Sequence, residues 1–183
     1  IDLSATLDAS TIAMIRRTWL EHQVLAFPDQ HLDDNAYERF VRCIGPIGDD
    51  PFIAPIPGKT HIAAIRRDAN ETSKPFAETW HSDWSFMSTP PAATCLYGIT
   101  IPPSGGDTLF LNEHKALAEM PQNLRQRLVG KTGVHSARWA YADDGFYAAD
   151  NYDGTMNIKT SPEARNTHGH PLIRIHPETG QEG

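Results

Sequence analysis

The sequence predicts a mainly β domain with flanking helices, the helices packed outside a sandwich or barrel. Helical periodicity at the front, short apolar runs behind it, and Gly/Pro turn clusters between those runs carry the prediction. From Asp8 to His22, Ile12, Ile15, Trp19 and Leu20 recur at helical spacing behind the potential caps Asp8 and Ser10, which predicts an amphipathic helix. Gln23 to Phe27, QVLAF, reads as a short buried strand. A second helix is predicted over Leu32 to Gly45, with Tyr37, Phe40, Val41 and Ile44 on one face and Gly45-Pro46 as its stop. Gly48, Pro51, Pro55 and Pro57 then mark a loop. Strand-like runs follow at His61–Ile65, Trp80–Phe86, Ala93–Thr100, Thr108–Leu111 and Leu172–Ile175, separated by clusters such as PPSGGD. Glu113 to Leu128 is helical again, with Pro121 placed where a second helix would begin.

The chain of 183 residues is long enough for one cored domain and short for two, so residues 1–183 are expected to form a single domain. With 39% hydrophobic and 21% charged residues, the composition is that of a soluble globular protein. No apolar run approaches the roughly 18 residues that a membrane span needs. The opening IDLSATLDAS has no basic start and no apolar core, so no secretory leader is expected there. Cys43 and Cys95 lie far apart and form neither a CxxC pair nor a disulfide framework, which favours a reducing, cytoplasmic setting. A formal net charge of -7 argues against nucleic acid or anionic lipid as partners, because both need clustered Lys and Arg.

The stretch WHSDWSF carries His81 and Asp83 two residues apart. On a strand, positions i and i+2 share a face, which would set an imidazole beside a carboxylate. Two histidines and one carboxylate on one face of an octahedron hold Fe(II) and leave the opposite face free for small ligands. By itself the pair is also what an exposed strand carries in a chain with nine histidines.

The stretches that follow are more specific. TPPAAT at Thr89 to Thr94, LYGITIPPSGGDTLF at Leu96 to Phe110 and HPLIRIHPETG at His170 to Gly180 come in that order behind WHSDWSF, and IDLS with VLAFPDQ opens the chain. Together they resemble the taurine dioxygenase-like family of Fe(II)- and 2-oxoglutarate-dependent dioxygenases over nearly the whole chain. The resemblance implies a double-stranded β-helix, a cupin-like jelly roll. It further implies Fe(II) as the metal, 2-oxoglutarate as co-substrate, dioxygen as oxidant, and hydroxylation of a small organic substrate with release of succinate and carbon dioxide. His81 and Asp83 match the family's first two iron ligands. Thr108, at the end of GGDT, matches the threonine whose hydroxyl contacts the distal carboxylate of 2-oxoglutarate, and the glycine pair beside it suits close approach of an anion to backbone.

The family's second histidine ligand and its 2-oxoglutarate arginine lie beyond the HPxTG turn and have no counterpart here, so the domain is expected to be truncated or incompletely recorded, with C-terminal strands missing. His61, His114, His135, His168, His170 and His176 are not expected to substitute. Arg174, alternating with Ile173 and Ile175, is expected to face outward. In the taurine-specific members a His, a Tyr and an Asn contact the sulfonate; the matching positions are Asp50, Ile53 and Ala77, which makes taurine a poor expectation because Asp50 would repel an anion nearby. Trp84, Phe86, Trp139, Tyr141, Phe146 and Tyr147 are candidates to line a pocket, and Trp139 to Gly154 to cover it. Rival classes are a non-catalytic binder of a small anion or metal on the same scaffold, and a zinc hydrolase, for which no HExxH is present. A homo-oligomer is the default expectation.

Overall fold

Helix α1, Ala9–His22, begins where Asp8 accepts a hydrogen bond from Thr11 N–H at 2.7 Å and ends where Gln23 turns left-handed at φ 65, its N–H bonded to Trp19 O. This computed structural model describes residues 1–149 and 152–183. Helix α2, Asp34–Ile44, starts at Asp33, whose Oδ1 accepts from Ala36 N–H at 2.7 Å, and buries Ala36 and Phe40. Leu3, Ile15 and Phe40 form a buried cluster, with Leu25, Phe27 and Leu32 packed against it. Burying each such side chain is worth about 1.5–3 kcal/mol. The predicted break at Pro121 is present: α3, Glu113–Ala118, is capped by Asn112, and α4, Gln122–Leu128, follows the proline.

Two compact units divide the chain. The first comprises Ile1–Ile44, Cys95–Gly133 and His170–Gly183; the second comprises Gly45–Thr94 and Val134–Gly169. In the first, Arg16 joins α1 to the end of α2 through Ile44 O at 2.9 Å and to the HPETG turn through a two-pronged pair with Glu178, both at 2.7 Å. That turn is closed by Arg174 and Gly183, which exchange backbone hydrogen bonds at 2.9 Å, with Gly180 at φ 71 in the tip. In the second, Phe52, Ala137, Ala142 and Ala164 form the buried cluster. Helix α5, Arg138–Tyr141, lays the Tyr141 ring flat on Phe52 at 4.9 Å, and Phe86 joins them.

Among the described residues the sheet content is smaller than the sequence predicts. The ladder is a two-stranded sheet of β1, Thr132–His135, and β2, His168–Pro171. The runs Gln23–Phe27, His61–Ile65, Ala93–Thr100 and Thr108–Leu111 are irregular and outside any ladder, Leu172–Ile175 contributes one bridge from Ile175 to Glu182, and Trp80–Phe86 contains a turn. Extended, β-prone sequence becomes a strand only where a second backbone supplies the ladder's donors and acceptors. Apolar side chains on these runs consequently stand open, Ile99 at 87% and Leu109 at 71% exposure. No helix among the described residues is long and apolar enough to cross a membrane.

Candidate metal centre

His81 and Asp83 sit at a tight turn instead of on a strand. Ser85 N–H reaches Ser82 O at 3.3 Å and Met87 N–H reaches Trp84 O at 2.8 Å, so the chain folds back immediately after the pair. Trp84 makes this reversal at φ 48, a left-handed conformation that costs a bulky residue about 1–3 kcal/mol and persists only where its surroundings hold it. The hold is visible. Trp84 Nε1–H donates to Asp50 Oδ2 at 2.9 Å, while Asp50 Oδ1 accepts from Phe52 N–H at 2.7 Å and Ile53 N–H at 2.8 Å. The indole lies so close to Gly48 that a Cβ there would fall 2.8 Å from Trp84 Cζ3.

The turn brings the two side chains together without strand geometry. His81 Nε2 lies 3.1 Å from Asp83 Oδ1. On the far side of the ring, Nδ1 is 2.7 Å from Thr79 O. A carbonyl only accepts, so Nδ1 carries a proton, and Nε2 is the atom left to face Asp83. Asp83 is held from behind in turn, its Oδ2 accepting from Thr94 Oγ1 at 2.5 Å. Both residues are about half exposed, open to a ligand from solution.

This donor set fits a divalent metal. Two ligand atoms each about 2.1 Å from one ion, at right angles, are about 3 Å apart, which is the separation of Nε2 and Oδ1. An imidazole whose other nitrogen is fixed by a backbone carbonyl, beside a carboxylate whose other oxygen is hydrogen-bonded, is the arrangement that orients metal ligands. The pair is two donors and no more: among the described residues no group of three or more His, Cys, Asp or Glu is gathered closely enough to hold an ion.

The other histidines have different engagements. His61 Nδ1 is 2.8 Å from Asp49 Oδ1, and His114 Nδ1 donates to Glu182 O at 2.7 Å. His176 Nδ1 accepts from Glu178 and Thr179 N–H inside the HPETG turn. His135 lies on β1, and His168 and His170 lie on β2. Arg174 is exposed. Thr108 belongs to the first unit and His81 with Asp83 to the second; the threonine stands on an exposed, irregular stretch behind Gly105 at φ 78 and Gly106 at φ 73.

Asp50, expected from its position in the sequence to repel an anion nearby, is half-buried, and both its oxygens accept N–H groups, so it brackets the turn that carries His81 and Asp83. The aromatic candidates divide. Trp139 is 82% exposed, with Arg138 stacked 5.3 Å over it. Phe86, Tyr141 and Tyr147 are half-buried in a run of ring contacts that reaches Phe52 and Tyr152. Burial, assisted by the nearby Tyr147, Asp50 and Asp83, pushes the Tyr141 phenol well above its ordinary range. Of the segment proposed as a cover, Asp150 and Asn151 lie outside the described residues. Asp153 is pinned to Thr72 and Ser73 by side-chain and backbone hydrogen bonds, Ser73's hydroxyl first, which hold its carboxyl well below the usual carboxylate range.

Sequence reasoning passed over Thr94, Thr79 and the Asp50–Trp84 bracket. Thr94 stands in TPPAAT, a motif noticed for its prolines, and its hydroxyl three residues past the PP turn was the available signal.

Comparison with known proteins supplies the wider context. A model of the taurine catabolism dioxygenase TauD, TfdA family matches residues 1–183. The chain belongs to this family. An alkylsulfatase of Acinetobacter baylyi is 31% identical over 184 residues, spanning 100% of this chain and 56% of that protein. An alpha-ketoglutarate-dependent sulfate ester dioxygenase of Pseudomonas putida is 30% identical over 185 residues, spanning 99% of this chain and 59% of that enzyme. A solved taurine dioxygenase from Burkholderia xenovorans superimposes with a TM-score of 0.70 at 29% identity, covering 100% of this chain and 55% of that one. The chain thus spans little more than half the length of these family members.

Proposed function

We propose that this chain carries the proximal half of the iron site of an Fe(II)- and 2-oxoglutarate-dependent dioxygenase that hydroxylates a small organic substrate. The observation that carries the reading is the 3.1 Å pairing of His81 Nε2 with Asp83 Oδ1, each side chain fixed from behind. His81 and Asp83 would hold Fe(II); Thr108 would donate its hydroxyl to the distal carboxylate of 2-oxoglutarate. The bound ion and keto acid would supply the oxidising chemistry, with succinate and carbon dioxide as co-products. What the protein's residues contribute is placement: Thr79 O holds His81 Nδ1 and so turns Nε2 toward the ion's position, and the Asp50–Trp84 bracket fixes the turn. A jelly roll completed by further strands is the scaffold consistent with the family, and a third ligand and an arginine outside these 183 residues would complete the site. The two free cysteines suit the cytoplasm, and dioxygen and a small molecule are the partners.

For the substrate we propose an alkyl sulfate ester, by analogy with the two relatives of about that activity. Hydroxylation at the carbon bearing the ester oxygen gives an unstable adduct that collapses to an aldehyde and sulfate, so one oxygen enters and the C–O bond to sulfate breaks.

The test is to measure the intact mass of the purified gene product and, on the same sample, Fe(II)-dependent formation of succinate with hexyl sulfate and with taurine. Succinate and sulfate formed from hexyl sulfate, and lost to background in His81→Ala, are the expected result. Iron-dependent turnover that survives His81→Ala would overturn the assignment of the pair.

A further inference from the structure

We propose that Thr94 is a positioning residue for the metal centre, fixing Asp83 so that it offers the ion one oxygen only. This rests on the reading of His81 and Asp83 as metal ligands and adds a residue that reading does not contain. Asp83 has two oxygens with different surroundings. Oδ1 faces His81 Nε2 at 3.1 Å; Oδ2 accepts from Thr94 Oγ1 at 2.5 Å. A carboxylate free to rotate could present either oxygen or both, and a flexible ligand close to solvent spends much of its time pointing elsewhere. The Thr94 hydroxyl removes that freedom. It occupies Oδ2, leaves Oδ1 aimed at the position shared with the imidazole, and polarises the carboxylate through a short hydrogen bond to a charged acceptor.

The arrangement is specific to this hydroxyl. Thr94 stands eleven residues along the chain from Asp83, beyond the reach of any local turn, so the contact depends on how the PPAAT stretch returns past the metal turn. A carboxylate one residue from a tryptophan held at φ 48 has a backbone that cannot slide to compensate for a lost partner. The imidazole gains nothing from Thr94 directly, which predicts an effect confined to the carboxylate's share of binding.

The experiment uses the full-length protein with Co(II) as the probe, added under anaerobic conditions without substrate, and reads both the dissociation constant and the ligand-field absorption spectrum. Three variants are compared with the natural protein: Thr94→Val, which keeps the shape and removes the donor; Thr94→Ser, which keeps the donor; and Asp83→Ala. Loss of an outer hydrogen-bonding partner weakens metal binding by about 10- to 100-fold. The expected result is that weakening, with an altered Co(II) spectrum, for Thr94→Val, and binding within about twofold of the natural protein for Thr94→Ser. Thr94→Val binding Co(II) as tightly as the natural protein with an unchanged spectrum would overturn the proposal. So would Thr94→Ser failing as badly as Thr94→Val, because the effect would then follow the methyl group and not the hydroxyl. Asp83→Ala separates the two readings: if it binds Co(II) as well as the natural protein, the metal site itself is misassigned, whereas tight dependence on Asp83 with indifference to Thr94 leaves the site standing and removes only Thr94's role.

Discussion

Gly48 is a residue at which the turn carrying His81 and Asp83 is open to disturbance. A Cβ there would meet the Trp84 ring at 2.8 Å, so Gly48→Ala must push the indole away from Asp50. Overpacking of this kind costs about 1–3 kcal/mol, and the expected outcome is that loss in urea denaturation together with several-fold weaker Co(II) binding. Asp50→Ala acts on the same bracket from the other side. It leaves the Trp84 N–H and two backbone N–H groups without their acceptor, an expected loss of about 1–3 kcal/mol measurable in the same denaturation experiment. At this scale the sequence shows candidates and conceals what supports them. The His81 and Asp83 spacing alone is one that a chain with nine histidines carries easily, and it is the ordered motifs behind it that single the pair out. Thr94 and Asp50 are not singled out, since they lie 11 and 34 residues from their partners and no periodic rule joins a hydroxyl or a carboxylate to a turn so far away.

The elements divide by where their hydrogen bonds are made. A helix satisfies its own backbone, so α1, α2, α3 and α4 could be read from periodicity, caps and one proline, and they lie within a residue or two of the predicted bounds. A strand borrows half its hydrogen bonds from another segment, and nothing in LYGITI or TLFL says which segment that is. Apolar, β-prone sequence therefore predicts strands at these runs where the structure has irregular, unladdered chain. The cap of α1 is the feature of this scale that lends itself to a direct test. Asp8→Ala removes the acceptor for Thr11 N–H and Ser10 Oγ, with an expected loss of about 1 kcal/mol and a lower Tm by circular dichroism. Asp8→Asn, which can still accept, is expected to retain most of the stability.

Across the molecule, alkaline pH is expected to loosen both units through their tyrosines. Burial pushes the phenols of Tyr37, in the first unit, and Tyr147, in the second, up to about 12 from an ordinary value of 10.0. Each is therefore easier to ionise in the unfolded chain. Keeping them neutral contributes stability that is complete below about pH 10 and is lost as pH rises through about 12. Phenolate absorbance followed during alkaline titration should show late-ionising tyrosines whose titration coincides with loss of structure; all five tyrosines ionising near 10 in a still-folded protein would contradict it. The Arg16–Glu178 pair bears on how the first unit comes to exist at all. Its partners are 162 residues apart, and a ribosome adds about 5–20 residues per second. For roughly ten to thirty seconds of synthesis, α1 has been made while its distal anchor has not. During that interval the apolar side of α1 already has Leu25, Phe27 and Phe40 to pack against, so the pair of N-terminal helices is expected to form first and to wait for the HPETG turn to dock onto it through Arg16.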